Sequence, residues 1–306
     1  MIDLKSRLAV ILVVFFLPWI ISSQSKPSYS VKILGVVQDG GLPHLGNNKT
    51  CCENIQQNKY VTSIMLVNNE NNESYLFDAS PDINEQLNFM GDRIKTDLKG
   101  IFLTHAHIGH YTGLMYFGRE ALNSKSINVY AMPRMKRFLE DNGPWSQLVS
   151  LKNILIKEIN NNSKLSVDPY IIIQPIEVPH RAEFSETVGY IIHGPNKKLL
   201  FIPDIDKWYL WDKSIIDEIK KVDYALLDAT FYDEKEINYR DISEIPHPFV
   251  IESLELFKNL KLKEKKKIYF IHLNHTNPLL HSDSDEYKNV VSKGFNVANE
   301  GLELKL

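Results

Sequence analysis

The chain is 306 residues long, 43% hydrophobic and 24% charged, with a formal net charge of -3. That balance excludes a fibrous, low-complexity or largely disordered chain and leaves no overall basic field to hold nucleic acid. Its two cysteines, Cys51 and Cys52, are sequence neighbours, which excludes a disulfide-built scaffold.

The chain opens on Lys5 and Arg7, then an uncharged apolar run over 8–21, then Ser22-Ser23-Gln24. That order predicts a signal peptide over 1–24, with an uncleaved N-terminal anchor as the alternative. The run falls short of the roughly 20 residues of a spanning helix and is interrupted by Pro18. Either reading places a single domain, 29–306, in the periplasm or the medium. A strand is expected over 29–37, followed by the turn-rich Gln38-Asp39-Gly40-Gly41-Leu42-Pro43. Strands over 63–67 and 74–77 pair, and a short helix covers 82–90. A buried strand over 100–103 runs into His105. Apolar spacing predicts a helix over 111–122, then a strand over 127–130 and a helix over 133–141 that opens on a proline. Further strands are expected over 171–178, 187–192, 198–202, 224–227 and 267–271, with helices over 214–221 and 248–259. The lysine-rich stretch 261–267 reads as a solvated face. Strands alternating with helices specify an α/β protein, and the early meander argues against a purely parallel sheet.

The densest chemistry is Thr104-His105-Ala106-His107-Ile108-Gly109-His110. Histidines at i and i+2 on extended chain point to one side, and His110 can turn back as a helix begins. Converging neutral imidazoles make a transition-metal site, most often for zinc. His180, Asp204, Asp228 and His272 each follow a predicted strand, where α/β folds gather their active groups. His275 and His247 are candidates to donate a proton or line the pocket, with a plain turn as the alternative for His247. Asp39-Gly40-Gly41 either approaches the metal pocket or is a simple turn. His44 is an outlying candidate; His193 reads as structural and His281 as surface. Asn274 and Asn277 are expected to brace the loop presenting His272. Tyr111, Tyr116, Trp145, Trp208, Tyr209 and Trp211 either wall a pocket or belong to the core. Cys51 and Cys52 read as inert loop thiols, or as a redox-sensitive pair.

His105-Ala106-His107-Ile108-Gly109-His110 followed by His180, Asp204 and His272, with Phe77-Asp78 ahead of them, resembles the metallo-β-lactamase-fold metallohydrolases. Gln38-Asp39-Gly40-Gly41, Thr112-Gly113-Leu114 and His272 to Pro278 resemble the branch named for pyrroloquinoline quinone biosynthesis protein B. The resemblance implies a four-layer αββα sandwich in which His105, His107 and His180 hold a first metal, Asp204 bridges, and His110 and His272 serve a second. The superfamily's H-x-H-x-D-H has glycine here, Gly109, in place of its acid. One tight zinc and a weak or absent second are therefore expected, and Gly109→Asp is expected to tighten the second. Zinc lowers the pKa of a bound water from 15.7 to about 7, and the resulting hydroxide can attack an ester, lactone, amide or phosphoester of a small-molecule substrate. Asp204, helped by Asp39 or Asp228, is the candidate to orient that water. An iron-dependent oxygenase on the same scaffold and a metal-binding protein without turnover are the alternatives. No nucleic-acid partner is expected, and membrane contact only through an uncleaved N-terminus.

Overall fold

The computed structural model describes residues 27–46, 58–89, 97–181, 183–237 and 245–306; the expected signal segment, Cys51, Cys52 and Met90 lie outside the described residues. Among the described residues no helix is long and apolar enough to cross a membrane. In chain order the strands are β1 (Tyr29–Gly35), β2 (Ser63–Asn68), β3 (Ser74–Phe77), β4 (Leu98–Phe102), β5 (Ile127–Ala131), β6 (Ile154–Glu158), β7 (Leu165–Asp168), β8 (Ile171–Glu177), β9 (Val188–His193), β10 (Lys198–Ile202), β11 (Tyr224–Asp228), β12 (Ile268–Ile271), β13 (Asn296–Val297) and β14 (Glu303–Lys305).

They form two seven-stranded sheets, β14-β1-β2-β3-β4-β5-β6 and β13-β12-β11-β10-β9-β8-β7. Each sheet is antiparallel at one end and parallel at the other: β3 to β6 run parallel, as do β10 to β13. Side-chain alternation along the strands then creates the layers. Ile64 and Leu66 of β2 face a core shared with the second sheet, whereas Met65 and Val67 face outward. In β10, Leu199 and Phe201 point inward and Leu200 and Ile202 outward. Phe102 anchors the shared core, stacked on Phe77 and Tyr130 at centroid distances of 5.1 and 4.3 Å and met edge-on by Tyr190 at 5.6 Å.

Helices cover both outer faces. Met135 and Leu139 of helix Pro133–Asp141 and Leu148 of helix Trp145–Ser150 pack on the first sheet. Ile215 and Ile219 of Ile215–Lys220, Val250 and Leu254 of Val250–Leu256, and Val290 of Asp285–Ser292 pack on the second. Ser214 caps its helix, accepting from Asp217 N. The result is the expected αββα sandwich.

The expected helix over 111–122 is replaced by a short helix, Ile108–Tyr111, and a tighter 3-10 turn, Thr112–Phe117. Gly113 explains the break: its N–H donates to Ala79 O at 2.9 Å, and a Cβ there would lie 2.1 Å from Ser80 O. The lysine-rich stretch holds a short helix, Leu262–Lys265, with no buried residue.

Candidate metal centre

β1, β3, β4, β8, β10, β11 and β12 all run toward the same edge of the sandwich, and the chemistry-bearing residues follow their ends. Thr104 and His105 lie just past β4, Asp78 past β3, and Asp204 past β10. Asp228 closes β11 and His272 follows β12. His107 sits at the start of helix Ile108–Tyr111, and His110 N donates to His107 O at 3.0 Å, so one turn folds His110 back toward His105. The tilted His105 and His110 rings lie 4.2 Å apart.

Asp204, almost fully buried, is the hub. Its Oδ2 lies 3.5 Å from His105 Nε2, 3.1 Å from His110 Nε2 and 3.2 Å from His272 Nε2. Its Oδ1 lies 3.6 Å from His180 Nε2 and 3.3 Å from His247 Nδ1. Three groups of donor atoms each fall within 4.8 Å: His105, His107, His180 and Asp204; Asp39, His110 and His272; and Asp204, His247 and His272.

A surrounding set of oxygens fixes the tautomers. Thr104 Oγ1 donates to Asp78 Oδ2 at 2.9 Å, so at 2.9 Å from His105 Nδ1 it accepts that proton and leaves the Nε2 lone pair facing the site. Thr230 Oγ1 donates to Asp228 Oδ1 at 2.7 Å and accepts from His272 Nδ1 at 3.0 Å, with the same result. His110 Nδ1 donates to Asp78 Oδ2 at 2.7 Å, and His180 Nδ1 to Asp206 Oδ1 at 3.1 Å. Asp78 and His272 hold φ of 66° and 64°, a left-handed backbone that costs a non-glycine residue about 1 kcal/mol and here aims both side chains inward.

Burial alone would lower the His110 pKa, but Asp78, Asp204 and Asp39 together push it well above the ordinary value. Burial, reinforced by the His110 charge, holds His105 well below it. Burial would raise Asp204, yet His272, His180 and His110 carry it well below the usual carboxylate range. His110 likewise overcomes burial to lower Asp39. Burial opposes charge on His247, and Asp228 prevails, raising it to about 9.

This donor set fits a metal. His110 Nε2, His180 Nε2, His272 Nε2, Asp39 Oδ1 and Asp204 Oδ1 are buried atoms without a hydrogen bond on residues that all belong to the three donor groups, and His107 turns its Nδ1 to within 2.9 Å of His105 Nε2. Buried polar atoms left this way are costly unless a cation meets them, and imidazole with carboxylate suits zinc or iron.

Other sequence candidates are placed differently. Asp228 does not reach toward an attacking water; it is fully buried and accepts from Ile205 N, Thr230 N and Thr230 Oγ1 while pairing with His247 Nδ1 at 2.9 Å. His275 stacks on His44 at 4.0 Å and belongs to none of the metal-donor groups, whereas His247 lines the cavity beside Asp204. His193 Nε2 lies 3.2 Å from Gln174 Oε1, and His281 is exposed. Trp208 and Trp211 are core, their indole N–H groups donating to Ser253 Oγ and Glu177 O; Tyr111 and Trp145 pack with Phe138. Tyr116 lies part-buried against the same outer core, and Tyr209 is exposed. A cavity of about 130 Å³ beside the centre is lined instead by Gln38, Asp39, Arg181, Phe231, Ile245 and His247. Thr104, named in the sequence only as the start of the histidine motif, and Asp206 and Thr230, which the sequence does not single out, join the site as hydrogen-bond partners of His105, His180 and His272.

Asn277 braces the His272 loop by donating to Ala229 O and Thr230 O, and Asn274 Nδ2 donates to Thr276 Oγ1. Glu236 pins the same loop, accepting from Thr276 Oγ1 at 2.8 Å and from Tyr232 N. Burial raises the Glu236 pKa from 4.5 to about 7. The folded protein keeps that proton to higher pH than the unfolded chain, so this group's stabilisation is full below 4.5 and is lost as pH rises to about 7. Glu236→Gln is expected to leave stability nearly unchanged near pH 4.5 and raise it by about 3 kcal/mol at pH 8, read from urea melts at both pH values.

The model of the beta-lactamase superfamily domain matches residues 73–273, about two-thirds of the chain and the span that carries every residue of the three donor groups except Asp39. The chain belongs to this family. Coenzyme PQQ synthesis protein B of Methylococcus capsulatus is 25% identical over 90% of this chain and 99% of its own length, and that of Acinetobacter baumannii 26% over 90% and 99%. The Zn(2+)-bound PqqB of Methylobacterium extorquens superposes with a TM-score of 0.75 at 23% identity, covering 90% of this chain and 100% of that one. A diphosphatase from the PhnP family follows at 0.66 and 20%, covering 91% and 97%. These structures share the metallo-β-lactamase fold with this chain, and the relatives place it beside the quinone-biosynthesis branch.

Proposed function

We propose that the protein is an exported metal-dependent hydrolase, cleaving an ester, lactone, amide or phosphoester bond of a small-molecule substrate. The observation that carries the reading is the convergence of the imidazole nitrogens of His105, His110, His180 and His272 on the buried Asp204. His105, His107, His180 and Asp204 would hold zinc, which lowers the pKa of a coordinated water to about 7 and polarises the scissile oxygen. Asp204 orients the attacking water through Oδ1. His247 lines the cavity; with its pKa raised to about 9 it carries a proton on each ring nitrogen at neutral pH, Nδ1–H facing Asp228, so Nε2–H is the donor for the leaving group. Export is supported by the basic start and the apolar run over 8–21.

A second reading, a part in coenzyme PQQ synthesis, is supported by the relatives that carry that name along nearly their full length; in that reading the same imidazole and carboxylate ligands would hold iron, which they suit as well as zinc. Elemental analysis of full-length protein purified without chelator, with a panel of nitrophenyl esters and phosphodiesters, separates the two. Bound zinc and hydrolysis, both falling about 100-fold in His107→Ala, are expected. Bound iron with oxygen-dependent turnover would replace the first reading by the second, and equal metal in wild type and His107→Ala would end both.

A further inference from the structure

We propose that Asp39 supplies the carboxylate of a second metal position, together with His110 and His272, and that residue 109 is glycine because Asp39 occupies the space a side chain there would need. The inference rests on the metal-dependent reading above and deepens it. Asp39 Oδ1 lies 3.2 Å from His110 Nε2, and the donor atoms of Asp39, His110 and His272 fall within 4.8 Å of one another. All three atoms are buried and without a hydrogen bond. Asp204 Oδ2 stands 3.1 and 3.2 Å from the same two imidazole nitrogens, so two nitrogens and two carboxylate oxygens converge, a set suited to zinc or iron.

The loop that carries Asp39 is held against the strand end that carries His272. Gln38 N donates to Leu273 O at 2.9 Å, Leu273 N donates to Val36 O at 2.8 Å, and Gly41 N closes a turn on Gln38 O at 2.9 Å. Asp39 is thus set in place by the backbone that flanks another ligand. From the other side, a Cβ at Gly109 would sit 2.2 Å from Asp39 Oδ1 and 2.8 Å from Asp39 Cα. A real side chain never comes so near, so any residue larger than glycine at 109 displaces Asp39. This reverses the expectation from sequence. The acid missing at 109 does not leave the second position short of a carboxylate, and Gly109→Asp would push away the carboxylate already there.

Metal content and binding curves of the full-length protein test this. Wild type is expected to take up two zinc ions, and both Asp39→Asn and Gly109→Ala one, with the second ion's affinity weakened about 100-fold. Gly109→Ala removes no ligand, so its loss of metal reports the steric exclusion alone. Retention of the first ion by each variant, with an unchanged thermal melt, shows that it has folded. Two ions retained by either variant, or one ion in wild type, would overturn the inference and leave the metal-dependent reading intact. No metal in wild type would overturn that reading itself.

Discussion

Replacing Asp204 with asparagine is expected to abolish metal binding and turnover together, lowering hydrolysis by roughly 10³-fold, or about 4 kcal/mol of transition-state stabilisation. Asp204 touches His105, His110, His180, His247 and His272, so every donor group shares it or borders it. An amide has the same shape but no charge, and its N–H₂ presents protons to imidazole lone pairs that would otherwise face a cation. The same change spares the folded protein a desolvated carboxylate. Melting of the metal-free variant is therefore expected within a few degrees of wild type, separating a ligand from a structural support. Elemental analysis and a thermal melt on one preparation decide it: full metal content in Asp204→Asn would remove this residue from the centre.

Much of this centre was legible because strand ends are legible. Leu226-Leu227-Asp228 and Tyr269-Phe270-Ile271-His272 each read as a buried run ending in a polar group, and the sheets bring those ends to one edge whatever the loops do. His105, His107 and His110 are local to one turn of chain, so their convergence needed no knowledge of the rest. Asp39 was different. Its candidacy was visible, but its role depends on the loop after β1 crossing over the backbone at Gly109, a contact between residues seventy positions apart that no local pattern encodes.

The misread elements have similar causes. Tyr111, Leu114 and Phe117 have helical spacing and are all buried, yet docking of Gly113 on Ala79 and Ser80 tightens the chain into a 3-10 turn. Strands β6, β7, β13 and β14 went unpredicted because they are short or half-exposed, and all four lie at sheet edges. β14 exists through its partner: Leu304 pairs with Val31 from the other end of the chain. Tertiary pairing, rather than propensity, makes such strands.

The largest expected loss of stability comes from one shell further out. Asp78 is fully buried and accepts from Thr104 N at 2.8 Å, Thr104 Oγ1 at 2.9 Å and His110 Nδ1 at 2.7 Å. Alanine takes from Thr104 N, Thr104 Oγ1 and His110 Nδ1 the buried carboxylate they share, and leaves His110 with two of the three carboxylates that surround it. The expected cost is about 4 kcal/mol, measured by urea unfolding of metal-free protein. Asparagine divides the two roles of the carboxylate. Its carbonyl can still accept from Thr104 N, so most of the stability survives. Its amide, facing His110 Nδ1, must donate there, which moves the imidazole proton to Nε2 and closes the atom that faces Asp39 and Asp204. Asp78→Asn is therefore expected to fold while weakening the metal held by His110 by 10- to 100-fold in a zinc titration. Unchanged affinity in a folded Asp78→Asn protein would mean that His110 is not a ligand and that Asp78 serves the fold alone.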